Sequence, residues 1–159
     1  MADRFMRKGI TRFYYVPTIA SATLVPTAAE VNAGVRLDPE IAEVQGFSFE
    51  NQTIRTPDMA SAFVSQIAGE DSTEDSSLTF YQRKGTDALR TAQPKGTVGF
   101  IVIFYSGVAG ATPAAGDKAD IWPINIASNA KLYTADNEAA KYRVRYVLTD
   151  PPGNEKTLT

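Results

Sequence analysis

Alternation of apolar and polar side chains is clearest at 141–148. Apolar residues at even positions alternate there with mainly basic residues at odd positions: Tyr142, Val144, Tyr146 and Leu148 against Lys141, Arg143 and Arg145. Because successive side chains of a strand point to opposite faces, this pattern predicts a strand with one core face and one basic face. Alternation, or aromatic and β-branched content, predicts further strands at 12–16, 44–50, 77–81 and 120–128.

A continuous apolar run at 98–105 differs from the alternating segments. It predicts a strand that is covered on both faces and lies at the centre of the fold. The segment 59–68 is apolar at both odd and even positions and predicts another strand. Pro123 lacks an N–H, so the strand at 120–128 should be an edge strand or carry a bulge at that proline.

Helix signals are few and short. A polar, N-capping start followed by a proline predicts about two helical turns over 86–93. Thr27 and Glu30 have capping-box spacing, which predicts a second short helix that ends at a left-handed Gly34. Composition predicts loops at 69–76, at 106–118 and from 150 onward. Several strands with a packed helix indicate a mainly β fold, a β-sandwich or barrel.

Two segments bear on membranes and secretion. The longest apolar run, 98–105, has eight residues, whereas a membrane-spanning helix needs roughly 18. Basic residues before the apolar stretch 13–20 are similar to a secretion signal. Pro17 and the neighbouring tyrosines favour a first strand over that alternative.

Composition narrows the possible chemistry. The chain has 159 residues, of which 43% are hydrophobic, so one domain with a sizeable core is expected. A net charge of −2, from 16 Lys and Arg against 18 Asp and Glu, disfavours a protein that wraps nucleic acid. The sequence contains no Cys and no His, which excludes disulfides, thiolate nucleophiles, imidazole bases and the zinc sites built from those ligands.

Three motifs with candidate chemistry each lack their usual context. Ser128 and Lys131 have the spacing of a serine nucleophile and its lysine base, but they follow a predicted strand. The acidic run 70–75 lacks the central glycine of a calcium loop, and 107–110 lacks the lysine of a phosphate-binding loop. We therefore predict a structural or binding protein without enzymatic activity, and with no catalytic, metal-binding or cofactor-binding residues.

Several stretches, taken in order, resemble the tail tube protein of long-tailed phages of actinobacteria. They are SSLTFY at 76–81, GFIVI at 99–103 and ADIWPI at 119–124, followed by Ser128 and NEAA at 137–140. AAEVNAG at 28–34 and TDPP at 149–152 extend the resemblance over roughly 27–151. These residues belong to packing positions and turns, so the order and spacing of the set carry the resemblance.

The resemblance implies one tail tube domain over 1–159, a β-sandwich or barrel with one short packed α-helix and long loops. It implies that six copies form a ring and that rings stack into a hollow tube through which phage DNA passes. The implied partners are further copies of the chain and the tail terminator, tail tip and tape-measure proteins, with transient passage of double-stranded DNA and no membrane. The implied location is the virion, after assembly in the bacterial cytoplasm.

Charge suggests how the wall of such a tube would interact with the DNA that passes through it. Acidic walls repel DNA phosphates, whereas a basic wall would retain them. We predict that acidic residues near strand ends contribute to the lumen or to ring-stacking surfaces: Glu50, Glu70, Asp71, Glu74 and Asp75. Conversely, we expect Arg143 and Arg145 to face another subunit or the outside.

Other segments are candidates for contacts between subunits. Trp122 is a candidate interface anchor. Candidate inter-ring arms are 24–43, represented by Leu37 and Ile41, and 150–159, represented by Pro151 and Pro152. Residues 1–10 are expected to form an N-terminal arm.

Three alternative functions differ from the tube of a long, flexible tail. The first is the inner tube of a contractile tail or injection system. The second is a β-sandwich binding module of a phage particle, with Trp122 and tyrosines as a stacking platform. A small carboxylate-dependent hydrolase is the third, but the sequence marks no particular pair of acids for it.

Overall fold

The computed structural model of the chain describes residues 3–159, which contain ten strands, two short α-helices and one 3₁₀-helical turn. The strands are β1 (Arg12–Val16), β2 (Val35–Arg36), β3 (Ile41–Gln45), β4 (Phe49–Thr56), β5 (Ser65–Thr73), β6 (Ser76–Tyr81), β7 (Val98–Phe104), β8 (Lys118–Leu132), β9 (Lys141–Leu148) and β10 (Gly153–Thr157). The helices are α1 (Ala28–Ala33) and α2 (Ala88–Thr91), and the 3₁₀ turn is Asp38–Glu40. The predicted mainly β fold is confirmed. The first two residues of the predicted arm 1–10 lie outside the described residues.

Eight strands form the main sheet, in antiparallel pairs and in the order β2-β1-β7-β8-β9-β6-β3, with β10 alongside β8. Laid flat, this order would separate β2 from β3 by about 29 Å, because neighbouring strands lie about 4.8 Å apart. The chain from Arg36 to Ile41 can span at most about 18 Å. The sheet therefore rolls towards a barrel.

Apolar side chains pack on both faces of the rolled sheet. The inner cluster joins Ile101 of β7 to Leu89 of α2. The outer cluster joins Val102 of β7 to Val31 of α1 and to Leu158, which follows β10. Because β7 supplies both clusters, the predicted strand with two covered faces is confirmed.

The alternation at 141–148 also matches the structure. In β9, Tyr142, Val144 and Tyr146 are buried, whereas Arg143 and Arg145 are exposed. The predictions of strands at 12–16 and 77–81 are confirmed as β1 and β6. In each case, side chains on one or both faces of the strand are part of a buried cluster. Burial of this kind is what produces a hydrophobic pattern in the sequence.

α1 begins as its capping box predicts. Thr27 Oγ1 accepts a hydrogen bond from the Glu30 N–H at 3.2 Å, and the Glu30 carboxylate accepts one from the Thr27 N–H at 2.8 Å. The prediction of a left-handed Gly34 is wrong, because its φ is −76°. A Cβ at position 34 would collide with the carbonyl oxygen of Tyr15, so the close approach of α1 to β1 requires the glycine.

The predicted strand at 44–50 is wrong as a single element. A turn separates β3 from β4, where Gly46 and Phe47 have positive φ values of 78° and 57°. The turn directs the Phe47 ring into the inner cluster, edge-on to Trp122 with 5.6 Å between ring centroids. The Phe47 N–H donates to Ser76 Oγ at 3.0 Å. This apolar side chain thus closes the core instead of continuing an alternating strand.

β4 and β5 form a separate antiparallel two-stranded sheet, called here the ribbon (49–73). The predicted strand at 59–68 is wrong for its first part, because β5 starts at residue 65. The predicted acidic loop at 69–76 is also wrong, since only Glu74 and Asp75 lie between β5 and β6. Pairing with β4 holds this polar segment extended, and that pairing leaves no apolar pattern in the sequence.

β8 is an interior strand, so the prediction of an edge strand or a bulge at Pro123 is wrong. The irregularity in its pairing with β9 lies between Ile126 and Ser128. The Pro123 carbonyl accepts a hydrogen bond from the Thr149 N–H at 3.1 Å. In a strand the nitrogen and the carbonyl of one residue point to the same side, so the Pro123 ring nitrogen faces this side too. On this side the strand that pairs with β8 changes from β10 to β9. Proline is tolerated there because it falls at the junction between two partner strands.

α2 is shorter than the predicted helix over 86–93. Its N-cap is Asp87, whose carboxylate accepts from the Arg90 N–H at 3.3 Å. After one turn, Gln93 points into the core and accepts a hydrogen bond from the Tyr146 hydroxyl. This buried contact ends the helix earlier than Pro94 would require.

The predicted loop at 106–118 is confirmed as far as residue 117, but the predicted loop from 150 onward is not. β10 pairs with β8, and Leu158 is only 2% exposed. The Ala28 N–H donates to the Thr159 carbonyl at 3.0 Å, which ties the segment to α1. The C-terminal segment therefore covers the outer cluster of its own subunit.

Candidate assembly surfaces

The ribbon exposes apolar side chains on both of its strands. Ile54 and Ile67 are directly opposite each other, and each is about half exposed. A two-stranded ribbon is only marginally stable in water unless another element packs against it. The two isoleucines therefore form an exposed apolar pair on this ribbon.

The ribbon tip (57–64) is a compact turn. The Asp58 carboxylate accepts from the N–H groups of Ala60 and Ser61 at 2.8 and 2.9 Å, and Ser61 Oγ accepts from the Phe63 N–H at 3.0 Å. These bonds define a turn that presents two apolar side chains to solvent. Met59 is fully exposed and Phe63 is 77% exposed.

An apolar cleft of about 440 Å³ lies between the N-terminal segment and the rolled sheet. Its apolar lining is Phe13, Ile41, Val44, Phe47, Ile103 and Tyr105. The charged residues at its rim are Arg7, Lys8 and Asp38. The Arg7 guanidinium stacks over the Tyr105 ring, 4.6 Å from its centroid, and Asp38 forms an ion pair with Arg36 at 2.8 Å.

The acidic residues predicted for the lumen or ring-stacking surfaces are all exposed. They lie on β4, on β5 and on the link between β5 and β6: Glu50, Glu70, Asp71, Glu74 and Asp75. Glu50 is opposite Ser72, and the Asp71 carboxylate accepts from the amide of Asn51. The structure thus brings these acids together around the end of the ribbon that adjoins β6.

One of these acids contacts a predicted interface cation. Arg145 Nη2 lies 2.8 Å from Asp75 Oδ2, and both side chains are exposed. Arg143 is also exposed, and its neighbours across the sheet are Thr79 and Ala130. An exposed ion pair contributes only about 0–1 kcal/mol to folding, so Asp75 and Arg145 are surface groups that share one face of the subunit.

The remaining candidate residues occupy different environments. Trp122 is 3% exposed and Leu37 is fully buried, so both are core residues of their own subunit. Ile41 is half-buried and packs against the same inner cluster. Pro151 is exposed and Pro152 is half-buried. Pro151 is therefore the exposed member of this group.

The serine–lysine spacing on β8 and the acidic side chains bear on catalytic and metal-binding chemistry. Ser128 and Lys131 lie three residues apart on β8, which places their side chains on opposite faces. Within 3–159, no three His, Cys, Asp or Glu side chains are grouped to hold a metal ion. Burial raises the pKa of Tyr142 and Tyr146 well above 10, so these phenols remain neutral core groups. No helix in the described part of the chain is long and apolar enough to span a membrane.

Sequence patterns alone did not identify the ribbon or the cleft as surfaces. Pro57 and Asp58 are a turn signal in the middle of the ribbon, and this signal could have located its tip. The cleft combines residues far apart in the chain, from Arg7 to Tyr105. Its position therefore depends on the rolled sheet and has no local signature.

Comparison with known proteins gives a family and two similar folds. A family model described as phage tail tube protein matches residues 1–159. A chain in the cryo-EM structure of the anti-feeding prophage baseplate, 6-fold symmetrised, is similar with a TM-score of 0.60 at 7% identity, over 94% of each chain. A chain in the sheath-tube complex of an extracellular contractile injection system (PVC), in its extended state, is similar with a TM-score of 0.53 at 12% identity, over 90% of this chain and 86% of that chain. No curated protein matches the sequence.

Proposed function

The chain belongs to the phage tail tube protein family, and from that premise we propose that six copies form a ring and that rings stack into the hollow tube of a phage tail. Genomic DNA passes through the central channel during ejection. The protein is structural, and its function resides in the surfaces through which copies meet. The observation that carries the proposal is the ribbon, whose apolar side chains are exposed in a single subunit.

Edge strands give a second reason for assembly. β2 and β3 end the order of the main sheet, and Val44 of β3 is 44% exposed. An open edge with an apolar side chain invites pairing with another chain. A closed ring of subunits would cover such edges, as the closure of a barrel does.

Six-fold symmetry is supported by the fold. The similar chain of the anti-feeding prophage baseplate belongs to a structure that was 6-fold symmetrised. Its fold matches this chain over nearly the whole length, so a similar subunit shape is available for a six-membered ring. We extend that symmetry to this chain as part of the proposal.

The channel must let DNA pass without retaining it. Exposed acids around one end of the ribbon would repel phosphate, and we assign Glu50, Glu70, Asp71 and Glu74 to the channel wall or to the ring-stacking surface beside it. Contact with DNA is then transient and independent of sequence.

Asp75 and Arg145 must share a surface, because they form an ion pair within the subunit. Asp75 was predicted at the lumen or at a ring-stacking surface, and Arg145 was predicted to face another subunit or the outside. A contact between subunits meets both predictions, because ring stacking is itself such a contact. We assign the pair, together with the exposed Arg143, to a subunit interface. Pro151 remains the candidate for a contact between rings, because it is exposed beside β10.

The proposed tube has further partners. A terminator would cap one end, tail tip proteins would start the other, and a tape-measure protein would occupy the channel until ejection. We place assembly in the host cytoplasm and the mature protein in the virion. The resemblance to long-tailed phages of actinobacteria makes a flexible, non-contractile tail our first assignment.

A contractile system is the second candidate. One of the similar structures is the sheath-tube complex of an extracellular contractile injection system. If this chain were the inner tube of such a system, its tubes would bind a sheath protein along their length. Co-purification of a sheath layer with tubes isolated from particles separates this candidate from a bare flexible tail.

Imaging the purified protein by negative-stain electron microscopy over a concentration series tests the proposal. We expect rings or hollow striated tubes from the wild type and none from an Ile54→Asp/Ile67→Asp variant, which places charges on the ribbon. Tyr133→Asp is the matched control, because Tyr133 is 94% exposed and lies outside the ribbon. Uniform monomers of the wild type throughout the series would contradict the tube and favour the binding-module alternative.

A further inference from the structure

The ribbon tip and the apolar cleft are complementary in chemistry. The tip presents two exposed apolar side chains, Met59 and Phe63, on a hydrogen-bonded turn. The cleft has a volume of about 440 Å³ and an apolar lining. This volume is within the roughly 300–1,000 Å³ of sites that enclose small apolar ligands, so the cleft can accept apolar side chains of a partner.

A subunit does not fill its own cleft with its own tip. Phe47 lines the cleft and lies two residues before β4. Thr56, at the far end of β4, is about 23 Å from Phe49 along an extended strand. The tip side chains are exposed in the subunit, which agrees with this separation. Any tip that enters the cleft must therefore come from another copy.

Charge favours the same pairing. Asp58 at the tip adjoins Met59, and Arg7 and Lys8 lie at the rim of the cleft. The acidic residue at the rim, Asp38, is already in an ion pair with Arg36. An incoming Asp58 would therefore meet a rim in which the cations dominate, and opposite charges across an interface favour the correct partner and orientation.

We propose that Phe63 and Met59 of one subunit insert into the apolar cleft of a second copy of this chain, with Asp58 beside Arg7 and Lys8. This inference rests on the proposed tube function. The tip and the cleft are different surfaces of the same molecule, so the contact is head-to-tail and can close into a ring or continue along a stack.

The absence of cysteine from the sequence permits a direct test by cross-linking. Lys8→Cys places a thiol at the rim of the cleft, and Ala62→Cys places one beside Phe63. Mixed and treated with a short bismaleimide under assembly conditions, these two variants should give a covalent dimer that contains one copy of each. Ala62→Cys mixed with Glu138→Cys is the control, since Glu138 is exposed and lies outside the cleft.

Removal of the Phe63 ring tests the insertion itself. Phe63→Ser should raise the protein concentration needed for tubes by at least about tenfold, because each contact loses a buried aromatic side chain. The same change should abolish the cross-link between positions 8 and 62. Tyr133→Ser removes an aromatic ring elsewhere that is even more exposed, at 94% against 77% for Phe63, and should leave both readouts unchanged.

The possible outcomes separate this inference from the tube itself. Tubes without the 8–62 cross-link would overturn insertion into the cleft and leave the tube function standing. A cross-link within one chain that carries both cysteines, and not between chains, would show that the subunit's own tip is the occupant and would also overturn the proposal. Absence of tubes from the wild type, together with absence of the 8–62 cross-link between the two cysteine variants, would overturn both.

Discussion

At the scale of single residues, two glycines with similar positive φ values separate the cost of backbone strain from the cost of a steric clash. Gly46 and Gly96 have φ values of 78° and 87°. A Cβ at Gly46 would lie 2.5 Å from the Asp75 carbonyl oxygen, whereas one at Gly96 would meet nothing within 4 Å. Gly96→Ala should cost about 1–2 kcal/mol of unfolding free energy, and Gly46→Ala about 1–3 kcal/mol more. Urea unfolding measures both, and equal losses would contradict a crowded turn between β3 and β4.

A second prediction at this scale concerns pH. Hydrogen bonds from the Thr27 and Ala20 N–H groups hold the pKa of Glu30 below its ordinary value of 4.5. A carboxyl group with a lower pKa in the folded state stabilises the fold above its unfolded pKa, and this contribution is lost as the pH falls through the folded pKa. Glu30→Ala should therefore lower the unfolding free energy by about 1 kcal/mol at neutral pH.

The difference between the wild type and Glu30→Ala should then shrink as the pH falls below 4.5. Unfolding of both proteins in urea across this range measures the change. Glu138→Ala serves as the control, because Glu138 is exposed outside the capping box. A difference that stays constant through the acid range would show that packing, and not the charged cap, explains the loss.

At the scale of elements, β10 decides whether the C-terminal segment is part of the subunit or an arm. Leu158 packs in the outer cluster beside Val31 and Ile121. Leu158→Ala should therefore lower the unfolding free energy of the monomer by about 2–5 kcal/mol. Leu132→Ala, at a position that is 38% exposed, should cost much less. Unchanged monomer stability in Leu158→Ala, combined with loss of tubes, would instead indicate an arm that contacts a neighbouring ring.

Elements were predictable where burial creates a pattern. β7 and β9 follow from their hydrophobic positions because the inner and outer clusters select those side chains. The break at Phe47 was missed because an apolar residue in a left-handed turn has the same hydropathy as one in a strand. The polar second half of β5 and the whole of β10 were missed because their residues are held by pairing with β4 and β8. Backbone pairing is a long-range property and leaves little trace in local composition.

Functional surfaces were predictable to a smaller extent than elements. The acids grouped around the end of the ribbon are exposed, and their place on a lumen or ring-stacking surface stays a prediction, whereas Trp122 and Leu37 belong to the core. Both are large apolar side chains, and hydropathy alone does not distinguish a core anchor from an interface anchor. The cleft needs the three-dimensional order of β1, β3 and β7, which no short segment encodes.

At the scale of the whole molecule, variants of the ion pair between Asp75 and Arg145 distinguish effects on the stability of the monomer from effects on assembly. Both groups are exposed, so Arg145→Glu should change the stability of the monomer by less than about 1 kcal/mol. If the pair lies at a subunit interface, the same variant should fail to form tubes, because every contact in the repeated assembly then carries a misplaced charge. Lys131→Glu makes the same change in net charge at another exposed position and should still form tubes.

The charge-swapped variant Asp75→Arg/Arg145→Glu makes the distinction sharper. It restores the ion pair within the subunit, so the monomer should be as stable as the wild type. A neighbouring copy, however, would meet charges in exchanged positions, and tubes should remain absent in electron micrographs at concentrations where the wild type assembles. If the swap restored normal tubes, the pair would serve only its own subunit. Normal tubes from Arg145→Glu alone would remove Arg145 from the interface altogether, because a repeated contact cannot be indifferent to a reversed charge buried within it.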